Sequence, residues 1–135
     1  MLLATPVLSC DEQRWLGLTI YHEARNQDIE GKIMVAEVVL NRVEKEGWPD
    51  SICGVIRQPN QFPWAAKNIT PKEKEAWDES YELAGAILNG EIGTFNTDAT
   101  HFINPSMIKR PPRWTKRLEV VAEVGDHVFY RSPSE

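Results

Sequence analysis

The stretch Thr19-Ile20-Tyr21-His22-Glu23-Ala24-Arg25 ends the first predicted helix, which spans about residues 10 to 25. Ser9 followed by Glu12 matches a capping box and predicts where this helix starts. Leu16, Ile20 and Glu23, together with Thr19, recur at the spacing i, i+3, i+4 and i+7, which is one face of a helix. Because Leu16 and Ile20 make this the inward face, it carries Glu23 toward the interior.

A carboxyl group in this position has two interpretations. Burial makes the ionised form costly and raises the pKa of Glu23, which a general acid working near neutral pH requires. Alternatively, Glu23 is a structural carboxylate paired with an arginine. Arg25 is a poor partner, because residues two apart on a helix point in different directions. The pattern alone leaves both interpretations open.

Composition and length predict one domain over residues 1–135. The chain is 41% hydrophobic and 26% charged, as is typical of a soluble globular protein with its own core. Its net charge of −5 argues against a dedicated nucleic-acid binder, which carries a basic surplus. An anionic polymer would have to be held by local contacts, for which five tryptophans are available.

The two cysteines and the N-terminus restrict the compartment only weakly. Cys10 and Cys53 form no CxxC pair, so one disulfide and two free thiols are both compatible with the sequence. The apolar run Leu2–Leu8 is short, lacks a basic flank and contains Pro6, so we do not expect a signal peptide. No stretch is long enough to cross a bilayer, and we expect synthesis in the cytoplasm without membrane insertion.

The remaining elements are mainly helical. The second predicted helix is capped by Asp28 and stops before Gly47, with an apolar stripe and a polar stripe. Thr70-Pro71-Lys72-Glu73 predicts the start of a further helix that ends near Asn89. The apolar stripe of the second helix is Ile29, Ile33, Ala36, Leu40 and Val43, and its polar stripe is Glu30, Glu37, Asn41 and Glu44.

The other segments suggest a loop, a short helical turn and a small β element. Ile52 to Ile56 is compatible with one turn of helix, and Gln58 to Phe62 is predicted to be a loop. Gly125-Asp126 is a two-residue hairpin signal between residues 121–124 and 127–130. The predicted fold class is therefore α+β, mainly α, with a small C-terminal β-hairpin.

Most catalytic motifs are absent. His22-Glu23-Ala24-Arg25-Asn26 lacks the second histidine of a metalloprotease helix, and the three histidines are scattered, so we expect no metal site and no cofactor. There is no nucleophile elbow and no phosphate loop, and nothing local supports a thiol dyad of Cys53 with His101 or His127. Carboxylate chemistry remains, with Glu30, Glu37 and Asp98 as candidates for a second carboxylate beside Glu23.

An ordered set of motifs resembles the SleB-like cell wall hydrolases, which include spore-cortex-lytic enzymes and phage lysins. The likeness covers about residues 14 to 131. It is carried by Tyr21-x-Glu23-Ala24-Arg25, Glu30-Gly31, Val35-Ala36, Leu40-Asn41-Arg42-Val43, Pro49-x-Ser51-Ile52-Cys53-x-Val55-Ile56, Gln58, Gln61-Phe62, Ala99-Thr100-His101-Phe102, Pro112-x-Trp114 and Gly125-Asp126-His127-Val128-Phe129-Tyr130.

The resemblance implies a lysozyme-like fold and cleavage of peptidoglycan glycan strands by a monomer. It places the catalytic acid on Glu23, which then acts as base while the muramic 6-hydroxyl closes onto its own anomeric carbon. No second carboxylate is needed for such a lytic transglycosylase. The expected groove residues are Gln61, Phe62, Thr100, His101, Phe102 and Asn104, with Asn41 and Arg25 as structural support.

Three departures from the family pattern leave the type of activity open. Phe102 stands where relatives commonly have tyrosine, and Asn26-Gln27 replaces a frequent Gly-Glu. Glu37 stands where many relatives have a small or apolar residue, which allows a hydrolytic muramidase with Glu37 or Asp98 as second carboxylate. A wall amidase and a non-catalytic wall-binding module are also compatible with the sequence. Access to the wall without a signal peptide would need another route, such as a phage holin.

Overall fold

A computed structural model describes residues 10–133 as five helices and one three-stranded sheet. Two 3₁₀ turns, Pro105–Met107 and Arg113–Lys116, connect β1 to β2. None of the described helices is long and apolar enough to span a bilayer. The helices are α1 (Glu12–Ala24), α2 (Ile29–Glu44), α3 (Ile52–Ile56), α4 (Pro63–Lys67) and α5 (Lys74–Leu88), and the strands are β1 (His101–Ile103), β2 (Glu119–Val124) and β3 (His127–Arg131).

The core lies where α1, α2 and α5 pack together. Leu16 and Ile20 of α1 are fully buried, as the predicted inward face requires. Gly17 lets α5 approach closely, because a Cβ atom there would lie 3.2 Å from the Tyr81 Cα. On α2, the predicted stripe is correct at Ile33 and Ala36 but wrong at its first member, since Ile29 is 51% exposed.

Two helix starts differ from the prediction. Helix α1 begins at Glu12 with Asp11 as its cap, whose Oδ1 accepts the Arg14 N–H at 3.0 Å; Ser9 lies outside the described residues. Helix α5 begins at Lys74, and Thr70 is not its cap. The backbone N–H groups of residues 72 and 73 both donate to the Tyr21 hydroxyl at 3.0 Å, so α1 satisfies donors that the local sequence leaves open.

The polar stripe predicted for α2 does not face solvent at Glu37. This side chain is 1% exposed, and its carboxylate accepts the N–H groups of Phe95 and Thr97 as well as the Thr97 hydroxyl. One turn further along, Asn41 Nδ2 donates to the carbonyls of Thr97 and Ala99 at 3.0 and 2.9 Å. These bonds fix the segment that leads into β1, which agrees with the structural role predicted for Asn41.

The predicted hairpin is confirmed, and it gains a third strand that the sequence did not reveal. Strands β2 and β3 are antiparallel around Gly125, which has φ +58°, and β1 pairs with the other edge of β3, giving the order β1-β3-β2. Gln27 joins this sheet to the α1–α2 turn, because its amide bonds both the side chain and the backbone N–H of Asp126 at 2.9 and 3.0 Å. The sheet is thereby held beside the end of α1.

A disulfide joins the start of α1 to α3. Cys10 and Cys53 are bonded, with their Cα atoms 6.3 Å apart and 43 positions apart in sequence. This decides between the disulfide and the two free thiols that the sequence left open. It also ties helix α3 (the helical turn predicted at Ile52 to Ile56) to the element that carries Glu23.

Candidate active site

A cleft of about 660 Å³ lies between the end of α1, the loop before α4, strand β1 and the segment that follows β1. Glu23 lies in its wall, one residue before the end of α1. Five of the six predicted groove residues line the same cleft: Gln61, Phe62, His101, Phe102 and Asn104. The cleft therefore brings together side chains that are up to about eighty positions apart in the chain.

Glu23 is the one carboxylate among the described residues that line the cleft. Burial raises the pKa of Glu23 above the ordinary value of glutamate, and the nearby Trp64 indole N–H offsets part of this rise. The indole lies outside normal hydrogen-bond geometry, so the buried Trp64 Nε1 has no partner within residues 10–133. The site thus favours a protonated carboxyl and offers one unused donor to its ionised form.

Aromatic rings support Glu23 from the α4 side. The His22 ring stacks on Trp64 with centroids 4.7 Å apart, and Phe62 lies 5.5 Å from the same indole. Phe62 is only 5% exposed and belongs to the core as well as to the cleft wall. His22 Nε2 lies 3.2 Å from the Ile69 carbonyl, and burial lowers the pKa of His22, so its ring is neutral near pH 7.

The opposite wall is a second aromatic cluster built around His101. Its ring lies 4.8 Å from Trp114 and 5.6 Å from Trp48, and Trp114 meets Tyr130 edge-on at 5.1 Å. Burial, together with the charges of Arg42 and Lys45, lowers the pKa of His101 to about 4. This wall therefore presents neutral, flat surfaces of the kind that pack against sugar rings.

Thr100 is the one predicted groove residue that the structure does not place in the cleft wall. It is 1% exposed and lies behind the aromatic cluster, where its Oγ1 is 2.9 Å from His101 Nδ1. Its carbonyl accepts the Arg42 Nε–H at 2.7 Å. Thr100 is therefore placed to orient the His101 ring and does not itself line the cleft.

The three candidates for a second carboxylate also lie outside the cleft lining, and Glu30 is an exposed residue of α2. Glu37 is buried in the bonds to the segment before β1 described above, and Asp98 is 70% exposed with its carboxylate 3.6 Å from Arg131 Nη1. Neither is brought together with Glu23 in the cleft. Among residues 10–133, no group of three His, Cys, Asp or Glu side chains is arranged to hold a metal ion.

Arg42 was not predicted as a site residue, yet it lines the cleft and organises its floor. It is 4% exposed, its guanidinium lies 4.1 Å above the Trp48 ring, and its Nη1 donates to Gln61 Oε1 at 3.2 Å. Burial lowers the pKa of Arg42 to about 10, so it stays charged. Its signal in the sequence is its place in the Leu40-Asn41-Arg42-Val43 motif, which by periodicity belongs to the helix rather than to the site.

Arg25 and His127 hold the part of α1 that carries Glu23. The Arg25 guanidinium pairs with Glu73 and also lines the cleft, so the predicted structural role is only part of its position. His127 is 2% exposed; burial lowers the pKa of His127, while the Glu23 backbone and Asp126 act in the opposite direction. Its ring packs 5.5 Å from Phe102 of β1, and its contact with the Glu23 backbone connects the sheet to the end of α1.

Comparison with known proteins identifies the family. A sequence profile described as Cell Wall Hydrolase matches residues 26–130. The chain belongs to this cell wall hydrolase family. The matched range begins three residues after Glu23, so the profile supports the family while the assignment of Glu23 depends on the geometry of the cleft.

Named relatives agree with this family. The chain is 31% identical over 110 residues to the spore cortex-lytic enzyme of Oceanobacillus iheyensis, covering 82% of this chain and 38% of that protein. It is 28% identical over 123 residues to the spore cortex-lytic enzyme of Bacillus subtilis, covering 90% of this chain and 38% of that protein. This cell wall hydrolase domain thus spans about two fifths of the length of these relatives.

Solved structures confirm the predicted lysozyme-like, mainly helical fold. The catalytic domain of the Bacillus cereus SleB protein superposes with a TM-score of 0.69 at 25% identity, covering 94% of each chain. The catalytic domain of the germination-specific lytic transglycosylase SleB from Bacillus anthracis gives a TM-score of 0.69 at 24% identity, covering 94% of this chain and 100% of that chain. The resemblance drawn from the sequence motifs is therefore confirmed.

Proposed function

We propose that this domain cleaves the glycan strands of peptidoglycan as a lytic transglycosylase, with Glu23 as general acid and then general base. The observation that carries the proposal is that Glu23 is the one carboxylate in the described cleft lining, at a position where burial raises its pKa. The names of the sequence relatives, spore cortex-lytic enzymes, support a wall polymer as the substrate.

The first step needs a protonated carboxyl at the glycosidic oxygen. Burial keeps the Glu23 proton in place nearer neutral pH, so the acid form is present when the glycan binds. Donating this proton to the glycosidic oxygen breaks the bond to the muramic anomeric carbon and leaves a developing oxocarbenium ion. The neutral rings of His101 and Trp114 supply a flat surface against which the sugar ring is held during this change.

The second step needs the carboxylate form of the same residue. The muramic 6-hydroxyl attacks its own anomeric carbon, and Glu23 takes the hydroxyl proton, which restores the starting acid. The Trp64 N–H, unpartnered within residues 10–133, is available to the carboxylate while it is ionised and stabilises that form. Acid and base are therefore one residue, which suits a cleft with a single carboxylate.

The main competing mechanism is that of a hydrolytic muramidase, in which a second carboxylate activates water. Glu37 and Asp98 lie outside the cleft lining and have other partners, which favours intramolecular attack over attack by water. A wall amidase would act on the peptide instead of the glycan, and it usually uses a zinc ion. The place of action in all of these cases is the bacterial cell wall.

Mass spectrometry of the fragments released from purified peptidoglycan tests the proposal. Wild type should release anhydromuramic ends, and Glu23→Gln should release none while keeping the wild-type circular dichroism spectrum. Asp98→Asn is the matched control, because it removes a carboxylate outside the cleft, and it should release the same anhydromuramic ends as wild type.

Other products would contradict the proposal in different ways. Reducing muramic ends would mean hydrolysis and would overturn the transglycosylase assignment. Free peptides with intact glycan would overturn the glycosidase assignment altogether. Binding to the wall without any product, from a folded wild-type protein, would identify a non-catalytic wall-binding module.

A further inference from the structure

The segment of residues 105–118 carries a strong local positive charge in an acidic protein. Five of the chain's 15 Lys and Arg residues lie within it, and it contains no Asp or Glu. The rest of the chain contains the other ten Lys and Arg residues and all 20 Asp and Glu residues. We call these five side chains the basic rim: Lys109, Arg110, Arg113, Lys116 and Arg117.

The charge of the basic rim is not neutralised by the protein. All five residues are exposed, and none forms an ion pair with another described residue. Arg131, at the end of β3, shows the contrast, because it pairs with both Asp98 and Glu119. The basic rim therefore presents an unbalanced positive field to anything that approaches this side of the molecule.

The basic rim lies along one edge of the cleft. Ile108, Pro112 and Trp114 line the cleft, and the rim residues Lys109, Arg110 and Arg113 alternate with them in sequence. The rim cations are thus carried by the same backbone segment that lines this side of the cleft. A ligand that extends from the cleft along this segment comes within reach of these long, exposed side chains.

Local hydrogen bonds order the backbone of this segment, so the five cations extend from defined backbone positions. Asn104 Oδ1 accepts the Ser106 N–H at 3.1 Å, which caps the first 3₁₀ turn. The Thr115 hydroxyl donates to the Pro112 carbonyl at 2.7 Å, and the Leu118 N–H donates to the Trp114 carbonyl at 3.0 Å. Pro111-Pro112 between the turns restricts the backbone further.

We propose that the basic rim binds the carboxylates of the peptide stem that branches from the glycan strand. This inference rests on the proposed function, because it takes the muramic ring to lie beside Glu23. The peptide is attached through the lactyl group at C3 of the ring whose anomeric carbon reacts, so it leaves the cleft close to the scissile bond. Acidic residues and the free C-terminus of the stem supply several carboxylates, which arginine binds in a bidentate manner.

The neighbouring apolar side chains favour a peptide over a phosphate polymer. Met107 is 78% exposed and Ile108 is 39% exposed, next to the cations of the basic rim. A stem peptide alternates small apolar side chains with carboxylates and matches both kinds of surface. A polyphosphate backbone needs only the cations and leaves Met107 and Ile108 in water.

A binding experiment with Glu23→Gln tests the inference, because this protein should hold the wall without cutting it. The ligands are sacculi freed of phosphate polymers, either with their stems intact or stripped of stems by an amidase. Adding Lys109→Gln, Arg110→Gln and Arg113→Gln should lower the affinity for stem-bearing sacculi about tenfold at low salt. The preference for stem-bearing over stripped sacculi should disappear, as it should for the unmodified rim in about 0.5 M salt.

The matched control changes three exposed cations that do not line the cleft: Arg14→Gln, Lys67→Gln and Lys72→Gln. It alters the net charge equally and should retain the preference for stems. The inference would be overturned if both triple variants lost affinity equally, or if the rim variant lost affinity equally for stripped and stem-bearing sacculi. Stronger competition by free phosphate polymer than by free stem peptide would also overturn it. Failure of wild type to cut any glycan would instead contradict the proposed function, and the binding comparison would remain readable.

Discussion

Glu23 and Glu37 are two carboxylates on neighbouring helices, and their surroundings give them different roles. Glu37 is more deeply buried, yet it accepts three hydrogen bonds from Phe95 and Thr97. Glu23 lies at the wall of the cleft with a single indole N–H nearby and no hydrogen bond of normal geometry to it. Hydrogen-bond donors rather than depth of burial therefore distinguish the two carboxylates: Glu37 is bonded to the segment before β1, whereas Glu23 faces the cleft.

The largest expected effect comes from removing the Glu23 proton. Glu23→Gln cannot donate or accept the proton, so we expect the initial rate of glycan cleavage to fall by about 10²- to 10⁴-fold. The rate of reducing-end or anhydro-end formation on purified glycan strands measures this. Glu37→Gln, assayed well below its unfolding temperature, should retain most of the wild-type rate; a comparable loss there would place Glu37 in the chemistry and remove the contrast.

The next largest effect is a loss of fold stability in Glu37→Gln. In Glu37→Gln the amide NH₂ meets a backbone N–H donor, so at least one buried group loses its partner, which costs about 1–3 kcal/mol of unfolding free energy. Urea denaturation monitored by tryptophan fluorescence gives this value. Glu44→Gln, an exposed position on the same helix, is the control and should leave the midpoint unchanged. An unchanged midpoint for Glu37→Gln would mean that the three bonds contribute nothing.

A smaller effect is expected from removing the indole N–H of Trp64, the donor near Glu23. Trp64→Phe keeps a ring for His22 to stack on but removes the N–H that favours the ionised carboxylate. The pKa of Glu23 should therefore rise further, and the alkaline limb of the kcat/KM profile should move to higher pH. The pH dependence of strand cleavage measures this shift. Trp77→Phe, which packs against Tyr21 outside the cleft lining, should not move the limb, and an unmoved limb in Trp64→Phe would exclude the donor role.

The smallest expected effect is on how the free energy of unfolding changes with pH. A salt-bridged glutamate stabilises the fold as the pH rises, and Glu23 should have the opposite effect. Because the folded pKa of Glu23 is raised, the folded state binds more protons than the unfolded state between the two pKa values. The stability that Glu23 contributes is fully present below the unfolded pKa and is lost as pH rises through the folded pKa. In thermal unfolding, wild type should therefore lose stability relative to Glu23→Gln as the pH rises from the ordinary pKa of glutamate through the raised pKa of Glu23. A constant difference would contradict the desolvation of Glu23.

The sequence predicted the helical part of the site better than the loops and strands. Periodicity placed Glu23 on the buried face of α1, since Leu16 and Ile20 repeat along one helical face. The capping signal at Thr70 was wrong, because the hydroxyl of Tyr21 on α1 satisfies the N–H groups near the start of α5. Long-range bonds of this kind leave no local pattern.

The surroundings of Thr100 and the formation of strand β1 both depend on pairing with β3, which the local sequence does not show. The three residues His101–Ile103 are too short to show strand alternation, and they become a strand only because β3 pairs with them. The resemblance implied a groove position for Thr100, whereas in the structure its side chain is buried and its N–H donates to the Tyr130 carbonyl. Arg42 shows the converse error, since a helical motif residue proved to line the cleft and hold Gln61.

The cystine between Cys10 and Cys53 makes the stability of the domain depend on the redox conditions around it. Reducing compartments keep such pairs open, whereas the exterior of a bacterium allows them to close. Closing a loop of 43 residues contributes about 4 kcal/mol in the chain-entropy description. The domain thus reaches its full stability where thiols oxidise, on the side of the membrane where its proposed polymer lies, and protein purified under strong reductant will unfold more easily than the enzyme at work.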